Sequence, residues 1–87
     1  MKAVVSVVGN DMVGILAKVS NAIAAENANV IDMTQSVLDG CFCMMMIIDI
    51  EKMTCSIDEL RIKISEAVPE MVVHVMHTDI FTSMHRI

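Results

Sequence analysis

Residues 2–8 are almost continuously apolar and β-branched, with Val4 and Val8 on one side, Ala3, Val5 and Val7 on the other, and Gly9 closing the run. A strand that is apolar on both faces belongs in the middle of a sheet. After Gly14 the period changes. Ile15, Val19, Ala22 and Ile23 recur at spacings of three and four with Leu16 alongside, while Lys18, Asn21 and Glu26 fall outside the stripe. This spacing predicts an amphipathic helix that ends near Asn27. Alternation returns over residues 29–39, with Ile31, Met33, Gln35 and Val37 on one face and Val30, Asp32, Thr34, Ser36 and Leu38 on the other. Asp39 and Gly40 both tolerate positive φ, so they predict a tight hairpin turn into the strongly apolar strand over residues 41–50.

Ser56 and Glu59 have the spacing of a capping box, in which a hydroxyl and a carboxylate satisfy N–H groups at a helix start. The helix that follows carries Ile57, Leu60, Ile64 and Val68 on one face and stops at Pro69. Residues 71–78 form a fourth strand, and residues 79–87 a tail whose helical turn carries Ile80, Phe81 and Met84. The order is β-α-β-β-α-β. Right-handed crossovers then place two helices on one face of a four-stranded antiparallel sheet, the α+β ferredoxin-like sandwich, with the first and third strands central. One domain over residues 1–87 is expected, with its core in 1–78 and the tail in 79–87.

At 87 residues the chain buries only about 60 % of its unfolded surface, yet 55 % of its residues are apolar. The apolar face of the third strand that the helices leave bare, with Cys43, Met45 and Ile47, implies burial against a second copy: a homodimer or higher homo-oligomer. The net charge is −5, the six basic residues are scattered, and Phe42 and Phe81 are the only aromatics. A nucleic-acid partner is therefore excluded as a prediction, since it needs a basic stripe and stacking rings. No run approaches the roughly 20 apolar residues of a membrane span, and Cys41, Cys43 and Cys55 make an odd set without a disulfide framework. Reduced thiols in a cytoplasmic protein without a membrane partner are expected.

The remaining chemistry argues against a catalyst, a metal site or a cofactor. Met44, Met45 and Met46 are consecutive on a strand and point to alternating faces, as do His74 and His77, so neither set converges on one ion. Methionine here reads as adaptable core packing. Asn10-Asp11-Met12-Val13 lacks the C-x-x-C pair that ferredoxin-like copper chaperones carry in the first loop, and lacks the arginine an acylphosphatase needs there. No Walker-type phosphate loop is present, and His74, His77 and His85 have no nucleophile beside them in a loop.

What stands out is the loop between the first strand and the first helix. There the unpaired N–H groups of a helix start meet a carboxylate and two glycines, a combination that suits an anion or a zwitterion. The plainer reading is that Asp11 caps the helix and that Gly9 and Gly14 serve turn geometry and close packing.

The ordered set Gly9, Asp11, Gly14, Ile15, Ala17, Val19, Asn29, Val30, Ile31 and Gln35 resembles the ACT domain pattern, and the order of elements extends the likeness over residues 1–78. The chain is most similar to the small stand-alone ACT proteins of bacteria and archaea. The resemblance implies a non-catalytic regulatory domain that senses a small ligand, commonly an amino acid, at an interface between two copies. It implies a loop wall of Gly9, Asn10, Asp11, Met12, Val13, Gly14 and Ile15, with Asp11 or Asn10 on the ammonium and Asn29, Val30 and Ile31 of a neighbouring copy closing the site. The alternative is a protein-interaction module whose loop is empty and whose sheet face or dimer docks a protein partner.

Overall fold

The computed structural model describes residues 1–84; the expected end of the tail, with His85, lies outside the described residues. Strand β1 (Lys2–Asn10) is followed by helix α1 (Ile15–Ala25), the hairpin strands β2 (Asn29–Leu38) and β3 (Cys41–Asp49), helix α2 (Ile57–Ala67), strand β4 (Val72–His77) and a short helix α3 (Thr78–Met84). The sheet order is β2-β3-β1-β4 with every pair antiparallel, so the two most apolar strands are central as their composition requires.

The local signals act as elementary chemistry dictates. Asp39 and Gly40 take φ of 52° and 78°, the left-handed pair that a two-residue turn between twisted strands demands. At the start of α2 the Glu59 N–H donates to Ser56 Oγ at 3.1 Å, and the Ser56 N–H donates back to Glu59 Oε1 at 3.4 Å. Helix α1 ends two residues earlier than its stripe implies, because Asn27 turns to φ 62° and sends its side-chain N–H to the Lys52 carbonyl at 3.0 Å. Below it, Glu26 ties the two helices together through a 2.9 Å ion pair with Lys63.

Ala3, Val5 and Val7 of β1, Met44, Met46 and Ile48 of β3, Val19 and Ile23 of α1, and Leu60 and Ile64 of α2 form the core between the sheet and these two helices. The alternation expected for β2 is broken. The register slips between Val30 and Asp32, so Ile31 is the extra residue of a bulge, and Val30 and Met33 face the core together. Ile31 does not share the face of Met33; it is left exposed.

The other face of the sheet is partly covered. Helix α3 continues directly from β4 and packs against β1 and β4. It closes over Val4, which is buried although it lies outside the main core. Met45 and Ile47 on the same face are each 36 % exposed.

Candidate functional site

The loop that the sequence singles out is tied at one end of the sheet. The Asp11 N–H donates to the Gly40 carbonyl at 3.0 Å, which fastens the loop to the β2–β3 turn. Gly9 lies so close to the segment before β4 that an added Cβ would strike Met71 and approach the Glu70 carbonyl at 3.3 Å. Its role is close packing. Gly14 is different: it stands at the N-cap of α1 with φ 85°, and nothing lies within 4 Å of where its Cβ would be. Only its backbone angle calls for glycine.

No side chain caps α1. Asp11 is thus not the helix cap that its position allows. The first intrahelical bond runs from the Lys18 N–H to the Gly14 carbonyl at 3.0 Å, leaving the N–H groups of Ile15, Leu16 and Ala17 without intrahelical partners at the positive end of the helix. The Ile15 side chain itself plugs the core, so toward a ligand it offers its backbone alone. Around this helix start Asn10, Asp11, Met12 and Val13 are exposed, Val13 at 98 %, and the neighbouring hairpin end adds exposed Val37 and Leu38. A carboxylate and bare N–H groups therefore sit within an apolar fringe that one chain alone does not cover.

Asn29, Val30 and Ile31 are at the opposite end. Asn10 pairs with Cys41, whereas Lys2 and Asn29 both pair with Asp49, so the two groups are separated by about 27 Å at 3.4 Å per strand residue. One chain does not bring the ten residues together. Val30 packs inward, leaving Asn29 and Ile31 to face outward.

Asn29 lines a hollow of about 380 Å³ with Ala24, Asn27, Ala28, Asp49, Glu51 and Lys52. Asp49, Glu51 and Lys52 carry one signal in the sequence, a cluster of charges at the end of the third strand, while Asn27 is legible there only as the end of the first helix. A second, apolar hollow of about 340 Å³ lies between α3 and the open sheet face, lined by Val4, Met45, Ile47 and Phe81 among others.

Among the described residues no cysteine lines either hollow, and the thiols elsewhere are not activated. Burial, then the neighbouring Cys41, push the Cys43 thiol above its ordinary value; burial, then Glu26, do the same to Cys55. Protonated thiols at neutral pH are poor nucleophiles.

Comparison with known proteins resolves what this geometry belongs to. The sequence profile of the ACT domain family matches residues 2–78. The chain is an ACT domain. It is 40 % identical over 89 residues to a UPF0237 protein of Listeria innocua, covering 100 % of both chains, and 40 % identical over 88 residues to a UPF0237 protein of Methanocaldococcus jannaschii, covering 99 % of this chain and 98 % of that one. The ACT domain protein from Streptococcus pneumoniae superposes with a TM-score of 0.78 at 32 % identity, covering 93 % of each chain. A formyltetrahydrofolate deformylase from Pseudomonas syringae gives a TM-score of 0.77 at 25 % identity; 87 % of this ACT domain matches 27 % of that longer chain. ACT domains are regulatory, ligand-binding domains and are not themselves catalytic. Among the described residues no helix is long and apolar enough to cross a membrane.

Proposed function

We propose that this ACT domain is a non-catalytic cytoplasmic sensor that binds an amino acid in a site shared by two copies of the chain. The observation that carries the reading is the uncapped start of α1, with free N–H groups at Ile15, Leu16 and Ala17 beside the exposed carboxylate of Asp11. An amino acid carries a carboxylate and an ammonium a few ångströms apart, and these two features match them in sign: helix end to carboxylate, Asp11 or Asn10 to ammonium. Gly9, Met12, Val13 and Gly14 complete the loop wall. Asn29, with Val30 and Ile31 beside it, closes the site from the second copy, a division supported by the 27 Å that separates the two groups within one chain and by the hollow at Asn29.

A second reading draws on the exposed apolar residues. Val13, Leu38, Val72, Met45 and Ile47 also suit a surface that docks a protein partner, with the loop serving only as a turn.

Mixing complementary variants tests the shared site. Asp11→Ala and Asn29→Ala homodimers each lose amino-acid binding in calorimetric titration, because every site contains the defect. A heterodimer of the two has one site with both defects and one with neither, so mixing restores part of the binding. If the mixture binds no better than its components, the site is not shared between copies; if Asp11→Ala binds as wild type does, the docking reading stands instead.

A further inference from the structure

The third strand carries a second feature, independent of the loop. Cys41 and Cys43 alternate with the core residue Phe42, so both thiols stand on the open face, half-buried, with their Sγ atoms 4.0 Å apart. The backbone beneath them is held on both sides. Cys41 pairs with Asn10 of β1 and Leu38 of β2, and Cys43 pairs with Val8 and Ser36. Met45, two residues further along, presents its thioether side chain on the same face, 36 % exposed. The consecutive methionines do not converge, and Met45 lines the hollow under α3, so the sulfur atoms that meet are those of Cys41 and Cys43.

Two geometries compete for such a pair. A disulfide is disfavoured, because residues two apart on an extended strand have Cα atoms about 6.8 Å apart, at the upper end of what disulfides span. A shared metal ion needs little adjustment. Two thiolates at about 2.3 Å from one ion and 4.0 Å from each other subtend roughly 120°. The donor set then selects the ion. Structural zinc is four-coordinate, and among the described residues no third histidine, cysteine, aspartate or glutamate joins the pair. A pair of thiolates without further donors suits a soft ion of low coordination number, and among common ions that is cuprous copper.

We propose that Cys41 and Cys43 form a two-thiolate binding site for Cu(I). Binding forms two sulfur–copper bonds and releases two thiol protons to solvent; no electron is transferred. The ladders on both sides of β3 preorganise the pair, so the fold need not rearrange to take the ion.

Cu(I) titrated into the reduced full chain in the presence of the chromophoric cuprous chelator bicinchoninate tests this. The expected result is withdrawal of one copper per chain from the chelator by wild type, by Cys55→Ser and by Met45→Leu, and none by Cys41→Ser or Cys43→Ser. Failure of wild type to compete, or full competition by Cys43→Ser, overturns the assignment. X-ray absorption on the copper-loaded wild type gives a check independent of whether the variants fold: a first shell of sulfur supports the site, and a shell of nitrogen or oxygen alone overturns it.

Discussion

Under the proposed function, replacing Asp11 with alanine should abolish ligand binding while leaving stability nearly unchanged. An aspartate that capped α1 would contribute about 1 kcal/mol. Here no side chain caps the helix, the Asp11 side chain is exposed, and the tie from its backbone N–H to Gly40 survives the substitution. What remains is attraction between its charge and the helix dipole, about 0.3–1 kcal/mol at low salt and less once screened. At physiological ionic strength, where the screening length is about 8 Å, Asp11→Ala should change stability by no more than about 0.5 kcal/mol. Ser56→Ala is the internal standard. It removes the hydroxyl that accepts from the Glu59 N–H at 3.1 Å and should cost about 1 kcal/mol, lowering the thermal midpoint by roughly 4–8 °C in a domain of this size. Thermal and urea unfolding of the three proteins in the same buffer reads both numbers. If Asp11→Ala falls as far as Ser56→Ala, the carboxylate supports the helix start in solution, and the argument that it is held free for a ligand is refuted.

Gly14→Ala meets no neighbour, but it forces alanine to φ 85°, so it should destabilise by about 1–2 kcal/mol, seen as a lower urea midpoint. Ile64→Ala empties a fully buried position between α2 and the sheet and should cost about 2–5 kcal/mol, enough to unfold much of the protein near body temperature in circular dichroism. The Lys63 ammonium beside Glu26 holds that carboxyl below its ordinary 4.5, so the stabilisation is present above about pH 4.5 and is lost as pH falls through the lowered value. Glu26→Gln should therefore flatten the acid limb of urea midpoints measured from pH 7 to pH 3; parallel limbs for the two proteins would show that the pair contributes nothing.

The elements of this fold were legible wherever one local rule acted without competition. The Ser56–Glu59 box, the Asp39-Gly40 turn and the both-faced apolar runs of β1 and β3 each give one answer, and the structure adopts it. The bulge at Ile31 was not legible. A strict alternation through Val30, Ile31 and Asp32 satisfies the period of two, and only the packing of both Val30 and Met33 on the core requires an extra residue between them. The site divides in the same way. Gly14 and the loop are visible as sequence, but that Asp11 leaves the helix uncapped depends on where the chain turns, and Gly14 in the left-handed region moves the N-cap three residues past Asp11. Asp49, Glu51 and Lys52 join Asn29 at one hollow only because the antiparallel register brings the end of β3 beside the start of β2. Such long-range placement has no signature in local spacing.

Whether the loop of this ACT domain holds an amino acid is read out by thermal unfolding of the purified protein against a panel of free amino acids. A ligand at about a hundred times its dissociation constant stabilises the folded state by roughly 2.7 kcal/mol, which in a domain this small raises the midpoint by roughly 10 °C or more. Such a shift is expected with one compound or one side-chain class, and it should disappear in Asp11→Ala. A panel that leaves the midpoint unmoved, or a shift that Asp11→Ala retains in full, would contradict an amino-acid site in the loop.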